Sequence, residues 1–292
     1  MIDNRHNICV ILPAYNEAPA LGTVLDRLLP IARKHAWEVI VVNDGSADGT
    51  AKIGEDHGVR VISHAHNRGY GASLKTGTEA TNADIVVFMD SDGQQDENDI
   101  LRLLEYADRY DMVVGARTDE SYVDPRRLLG KRLLCWFAHY LAKETIPDIN
   151  SGFRAFRRDV LLRYLHLMPQ GFSFSTTSTF AMMKGGHKIK WIPIRTDKRI
   201  GRSTVKQLRD GPETLVLMLR LAVLFDPMRV FMPISGVLIL LAAAVTVLNF
   251  ALYRRAVPAS AVLFGISAVI IFMLGLLTDQ VSAIRREQHR RL

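Results

Sequence analysis

Two long stretches without a single charge, Val230 to Tyr253 and Val257 to Thr278, constrain this chain more than any other feature of it. As a helix, each is long enough to cross about 30 Å of hydrocarbon. Helices that are apolar on every side and adjacent in sequence are uncommon in a soluble domain, so the reading is a transmembrane hairpin rather than two core helices. The connector Arg254-Arg255-Ala256 is short, which puts the segments before and after the hairpin on one face of the membrane. Arg220 and Arg229 on one side, with Arg285, Arg286, Arg290 and Arg291 on the other, outweigh the connector arginines, and the positive-inside rule then favours cytoplasmic ends. Those residues, lying beside anionic headgroups, account for much of the +7 net charge, and no basic stretch interleaved with aromatics points to nucleic acid.

At the N-terminus the apolar run Ile8 to Leu12 is too brief for a signal peptide and leads straight into Pro13-Ala14-Tyr15-Asn16-Glu17. Cys9 and Cys135 make no metal pattern and suit a reduced cytoplasmic setting as small buried apolar residues.

The first 200 or so residues are mixed in composition. Ile8 to Leu12, Glu38 to Val42, Val59 to Ser63 and Ile85 to Met89 read as buried strands. Helices are expected over Ala18 to His35 and Ala72 to Thr81, and the turn-rich Asn43 to Thr50 opens another. Strand and helix alternating at this spacing predict an α/β fold with a parallel sheet covered on both faces. Ligands of such sheets gather at the carboxyl ends of the strands, where Tyr15, Asp44, Asp90 and Asp92 fall. Arg126 to Lys143 and Leu215 to Phe225 read as amphipathic, either as interfacial helices at the membrane or as helices packed on the soluble core. Neither an internal repeat nor a low-complexity tract is evident.

Val86-Val87-Phe88-Met89 stops abruptly at Asp90-Ser91-Asp92-Gly93-Gln94. Side chains alternate along extended backbone, so Asp90 and Asp92 at a strand exit point the same way. Two carboxylates aimed at one place suit Mg²⁺ or Mn²⁺ shared with a substrate's phosphates. The segment Asn67-Arg68-Gly69-Tyr70-Gly71-Ala72-Ser73-Leu74 invites comparison with a dinucleotide fingerprint, but Leu74 stands where the third glycine belongs and the segment follows the third strand, so a nicotinamide or flavin site is rejected. Its glycines leave open either a backbone approach to a ligand or a plain loop. Asp44, after the second strand, is placed to accept hydrogen bonds from a nucleotide's base or ribose, while Ser46 and Asp48 can cap the next helix.

Taken in order, Ile11-Leu12-Pro13-Ala14-Tyr15-Asn16-Glu17, Val42 to Thr50, Met89 to Gln94, Asn150-Ser151-Gly152-Phe153-Arg154 and Arg199-Ile200-Gly201-Arg202-Ser203 resemble the family 2 glycosyltransferases, and within them the dolichol-phosphate mannosyltransferase type of polyprenyl-phosphate glycosyltransferase. The resemblance covers about residues 8 to 206. It implies an α/β GT-A fold, with a Rossmann-like and mostly parallel sheet, that binds a nucleotide-diphosphate sugar and a divalent metal. By the same resemblance, Pro13, Tyr15, Glu17 and Asp44 hold the nucleoside, with Ser91 beside the donor. Asp90, Asp92 and Gln94 surround the metal and the donor pyrophosphate. Arg117 lies near the donor and acceptor phosphates, and Ser151 and Arg154 belong to the acceptor-phosphate pocket. Arg199, Arg202 and Lys206 close over the diphosphate from a mobile loop, with Asp92, Arg117 and Arg202 the residues closest to the chemistry. The implied layout is a catalytic domain over 1–206 that includes an amphipathic helix at 126–143, a juxtamembrane helix at 207–228, a hairpin at 229–279 and a basic cytoplasmic tail at 280–292.

Members that glycosylate a sugar hydroxyl commonly carry an acidic general base in the region that here reads Ser173-Phe174-Ser175-Thr176-Thr177-Ser178-Thr179, and this chain has no Asp or Glu between Asp159 and Asp197. A hydroxyl must lose its proton in the transition state, whereas a phosphate monoester with a second pKa of about 6 arrives as an anion. The Gln-x-x-Arg-Trp signature of processive synthases is absent. The expected activity is inverting transfer of one sugar from a GDP- or UDP-linked donor to a polyprenyl phosphate such as undecaprenyl or dolichyl phosphate, with no nucleic-acid partner and room for a homo-oligomer. The alternatives are transfer to a sugar hydroxyl of a lipid-linked glycan, and a catalytically silent membrane protein that binds nucleotide sugars.

Overall fold

A computed structural model of the chain describes residues 6–118, 146–171, 173–199, 219–220, 222–223, 226–253 and 257–290. The expected helix at 126–143, most of the one at 207–228, Arg202, Lys206 and the Arg254-Arg255 connector lie outside them. The chain divides into two compact units, Met1–Asp210 and Gly211–Leu292.

In the first unit the chain alternates β1 (Ile8–Ala14), α1 (Ala18–Lys34), β2 (Glu38–Asn43), α2 (Thr50–Asp56), β3 (Arg60–Ser63), α3 (Tyr70–Ala80), β4 (Ile85–Phe88), α4 (Asp99–Leu104) and β5 (Met112–Arg117). It continues with β6 (Arg154–Arg157), α5 (Arg158–Tyr164), a 3₁₀ turn at Leu165–Leu167, α6 (Phe174–Lys184) and β7 (Ile189–Ile194). The seven strands form one sheet in the order β3-β2-β1-β4-β6-β5-β7. All neighbours are parallel except β6, which runs antiparallel to β4 and β5. The mostly parallel sheet matches the reading of the sequence, and the four expected strands and both expected helices are present within two residues of their ends.

β1 is buried along its whole length, as a central strand covered on both faces must be. Against it α1 lays Leu21, Val24, Leu25, Leu28 and Ala32, a stripe at three- and four-residue spacing that lies in the same core cluster as Val10 and Leu12 of β1 and Val41 of β2. Truncating one of these leucines to alanine costs about 2–5 kcal/mol.

The sheet winds from β1 out to β3 and then returns across β1 to β4. This reversal is a topological switch point, and the crevice outside the carboxyl ends of β1 and β4 is where such sheets bind ligands.

The second unit contains α7 (Met228–Tyr253) and α8 (Ala259–Arg290). Met228–Leu252 and Ala259–Ile284 are long and apolar enough to cross a membrane. Ser235 Oγ donates to the Ala268 carbonyl at 2.9 Å, an interhelical bond of the kind that holds apolar helices together, while Leu240 and Val247 face outward.

Candidate active site

Two loops at the switch point are zipped together by their own polar groups. After β1, Asn16 sits at φ 55°, a left-handed conformation that asparagine tolerates. Its amide donates to Ser46 Oγ at 3.0 Å and its side-chain oxygen accepts from Ala47 N at 2.9 Å. Glu17 N donates to Thr50 Oγ1 at 3.0 Å, and Ala18 N to Asp48 Oδ2 at 3.2 Å. Residues read as a cap for α2 therefore also fix the loop that carries Tyr15 and Glu17. Tyr15 is half-buried beside them.

Asp44 does not present a free carboxylate. Oδ1 takes the Arg68 amide at 2.8 Å and meets His64 Nδ1 at 2.7 Å, while Oδ2 takes the Gly69 amide at 2.8 Å. Most of the carboxylate's roughly four lone-pair positions are used, so Asp44 organises the loop before α3. The glycines there do allow a close backbone approach, but the approaching backbone belongs to the chain itself. A Cβ at Gly71 would come within 2.3 Å of the Pro169 carbonyl oxygen, and one at Gly69 within 2.5 Å of that of Gln170, which also accepts from Ala72 N at 3.0 Å.

Beyond β4, Asp90 is held by Tyr70 OH at 2.9 Å on Oδ1 and by Gln95 Nε2 at 2.8 Å on Oδ2. Gly152 leaves room for this arrangement, since a Cβ there would lie 2.6 Å from Tyr70 OH and 3.1 Å from both Asp90 oxygens. Ser91, expected beside the donor, donates its hydroxyl to the Pro13 carbonyl at 2.8 Å and so ties the carboxylate loop to β1. Asp92 accepts the Gln94 amide on Oδ1 at 3.1 Å. Its Oδ2 lies 3.4 Å from Arg199 Nη1, and Arg199 also pairs with Glu17 through Nη2.

Burial raises the carboxyl of Asp90 above its usual range, and burial together with the Asp90 charge lifts Asp92 to about 6. Burial lifts Glu17 to about 7 against the pull of Arg199. Three acidic groups short of compensating charge at one edge form an environment that favours a cation. Asp90 and Asp92 with the amide oxygen of Gln94 are hard oxygen donors, and Mg²⁺ is commonly held by one or two carboxylates plus substrate phosphates. The donor set therefore fits the expected ion when a substrate completes it.

On the other side of β4, Arg117 ends β5 and grips Asp148, with Nε to Oδ2 at 2.6 Å and Nη2 to Oδ1 at 3.0 Å. Ser151 is buried. Arg154, expected in the acceptor-phosphate pocket, is fully buried and braces the interior of this ligand-free structure. Its Nε donates to the Ser151 carbonyl at 2.8 Å. Its Nη1 donates to the Ser175 carbonyl and Ser178 Oγ, both at 2.8 Å, and to Thr179 Oγ1 at 3.1 Å. Burial lowers its pKa to about 10. Sequence reasoning missed Tyr70, His64 and Asp148, each recognised only by a partner 20 or more residues away, and Gln95, which bonds Asp90 within the same loop.

The family model for glycosyl transferase family 2 matches residues 9–165. The chain belongs to glycosyltransferase family 2. In this family 2 glycosyltransferase, residues 226–284 match a second model, the GtrB C-terminal hairpin. Glycosyltransferase AglJ of Haloferax volcanii is 27% identical over 98% of this chain and 97% of its own length. The undecaprenyl-phosphate mannosyltransferase of Micrococcus luteus is 29% identical over 67% of this chain and 86% of its own. The chain spans about half, 53%, of the undecaprenyl-phosphate 4-deoxy-4-formamido-L-arabinose transferase of Pectobacterium carotovorum, at 31% identity. Among solved structures, glucosyl-3-phosphoglycerate synthase of Mycobacterium tuberculosis, in complex with Mn²⁺, UDP-glucose and phosphoglyceric acid, superposes with a TM-score of 0.64 at 22% identity over 76% of this chain and 81% of that one, a likeness of fold.

Proposed function

We propose that this glycosyltransferase transfers a single sugar, with inversion, from a GDP- or UDP-linked donor to a membrane polyprenyl phosphate. The observation that carries the reading is the make-up of α6. Where a transferase acting on a hydroxyl needs a base, this helix offers buried Ser and Thr residues, of which Ser178 and Thr179 accept from Arg154. Asp148 does not fill the gap, since both its oxygens are bonded and, although burial alone would raise it, Arg117 holds its carboxyl below the usual range. An acceptor that arrives already anionic needs no base, only positioning. Relatives named for undecaprenyl-phosphate acceptors support the same class.

Tyr15 and Glu17, on the clasped loops, bind the nucleoside end of the donor. Asp92 and Gln94, with Asp90 behind them, would hold Mg²⁺ or Mn²⁺. Such an ion, when bound, neutralises charge on the departing nucleoside diphosphate as a Lewis acid. Arg199 leaves its contacts with Glu17 and Asp92 to pair with donor phosphate, a role it shares with Arg202. Arg117 orients a phosphate for in-line attack on the anomeric carbon, with Ser151 on the acceptor side. The apolar hairpin anchors the enzyme in the bilayer that carries its acceptor, with the catalytic unit and C-terminus on the cytoplasmic face.

The test is transfer by the detergent-purified protein from a panel of radiolabelled nucleotide sugars to undecaprenyl or dolichyl phosphate with Mg²⁺ or Mn²⁺. The expected product is an organic-extractable, acid-labile lipid phosphate sugar of inverted configuration. Transfer confined to hydroxyl acceptors would overturn the proposal.

A further inference from the structure

Arg117 is held by one edge. Besides the two side-chain bonds to Asp148, its own amide donates to Oδ2 at 3.3 Å and the Asn150 amide donates to Oδ1 at 3.2 Å, so each carboxylate oxygen takes two hydrogen bonds. The Asp148 side chain is 4% exposed, whereas that of Arg117 is 38% exposed. Asp148 has no capacity left for substrate or metal, and the described residues make no bond to the Nη1 side of the guanidinium. The loop that carries Asp148 runs on to Gly152, where a Cβ would lie 3.1 Å from both Asp90 oxygens, so the Arg117–Asp148 pair stands beside the carboxylate loop after β4.

A guanidinium presents five N–H groups in a rigid plane, and a carboxylate on its Nε–Nη2 edge leaves the Nη1–Nη2 edge to meet an anion bidentately. Without that grip a long side chain must be ordered at the moment of binding. We infer that Asp148 is a positioning residue for sugar transfer, locking one edge of Arg117 so that the other edge meets a phosphate anion beside Asp90. The inference rests on the proposed function for its phosphate substrates. That anion is either the donor's diphosphate or the acceptor's monoester.

The experiment is a cycle of Arg117→Gln, Asp148→Asn and the double variant in the full-length protein, with donor and acceptor varied separately and thermal unfolding recorded alongside. Removing an outer residue that orients a working side chain commonly costs about 10–100-fold. Asp148→Asn is expected to lower kcat/KM by that factor, with the rise in KM falling on the substrate whose phosphate Arg117 takes. A rise in donor KM identifies the diphosphate, and a rise in acceptor KM identifies the monoester. The double variant is expected to be no slower than Arg117→Gln alone. If Asp148→Asn does not fold, Asp148→Glu, which keeps the charge but displaces the fork, is expected to show the kinetic loss at an unchanged melting temperature. Additive losses, or unaltered kinetics of an Asp148 variant while Arg117→Gln is impaired, would overturn the positioning role and leave the proposed function standing. Unaltered kinetics in Arg117→Gln itself would overturn both the positioning role and the place of Arg117 in the reaction.

Discussion

Gln94 and Asp197 exchange two hydrogen bonds: the Asp197 amide donates to the Gln94 carbonyl at 2.8 Å, and Gln94 Nε2 donates to the Asp197 carbonyl at 3.0 Å. The pair fastens the segment after β7, which carries Arg199, to the loop that carries Asp90 and Asp92. Gln94 thus has two attachments to separate, an amide nitrogen spent on this strap and an amide oxygen proposed to meet a cation.

Gln94→Glu keeps an oxygen for the ion and removes the donor. The strap then loses one bond and gains repulsion against a carbonyl, about 1–2 kcal/mol, or about 5–30-fold. Turnover is expected to fall by that factor while Mn²⁺ affinity, measured by calorimetry with nucleoside diphosphate present, is retained.

Asp92→Ala removes a carboxylate that burial and its neighbour Asp90 already lift to about 6. Losing one electrostatic element of the site should slow transfer by about 10²–10³-fold or more. The melting temperature is expected not to fall, because the ionised group has no full compensation in the ligand-free protein. A radiolabelled transfer assay and thermal unfolding measure the two effects separately.

The ligand-free protein is expected to lose stability as pH rises from about 4 to 7. Glu17 moves from a usual 4.5 to about 7 and Asp92 from 3.8 to about 6, so across this window the folded state holds more protons than the unfolded chain. Stability then falls with rising pH, and the contribution present at low pH is gone above about 7. Melting temperatures at pH 5 and 8 check the sign, and Glu17→Gln should flatten the profile.

Arg154→Lys separates an interior brace from a phosphate ligand. A lysine cannot serve the Ser151 and Ser175 carbonyls and the Ser178 and Thr179 hydroxyls together. The expected cost is about 3 kcal/mol or more in stability, read by denaturant unfolding. A variant that kept its stability and lost only acceptor affinity would return Arg154 to the phosphate pocket.

The edge formed by Tyr15, Glu17, Asp90 and Asp92 was legible in the sequence because these residues follow apolar strand runs directly and so announce both their element and their edge. The pairing on the Arg117 and Arg154 side was not. Tyr70 finds Asp90 across 20 residues, Arg154 reaches Ser178 across 24 and Arg117 reaches Asp148 across 31. No periodicity encodes such pairs. β6 escaped for a related reason, since Arg154-Ala155-Phe156-Arg157 reads as a polar fragment until the central strands on either side bury it. Arg154 reads in its polar motif as a ligand hook, and only the carbonyls and hydroxyls of α6 show how far it lies in the interior.

The antiparallel strand β6 has a consequence for how this scaffold can vary. β5 leaves the sheet at Arg117 and β6 re-enters beside it at Arg154, so the intervening chain departs from and returns to one rim. Doubling the length of such an excursion adds only about 0.6 kcal/mol of closure entropy and shifts no strand register. Changes of length along that rim can therefore be absorbed while the strands that lead into Tyr15 and Asp90 keep their pairing.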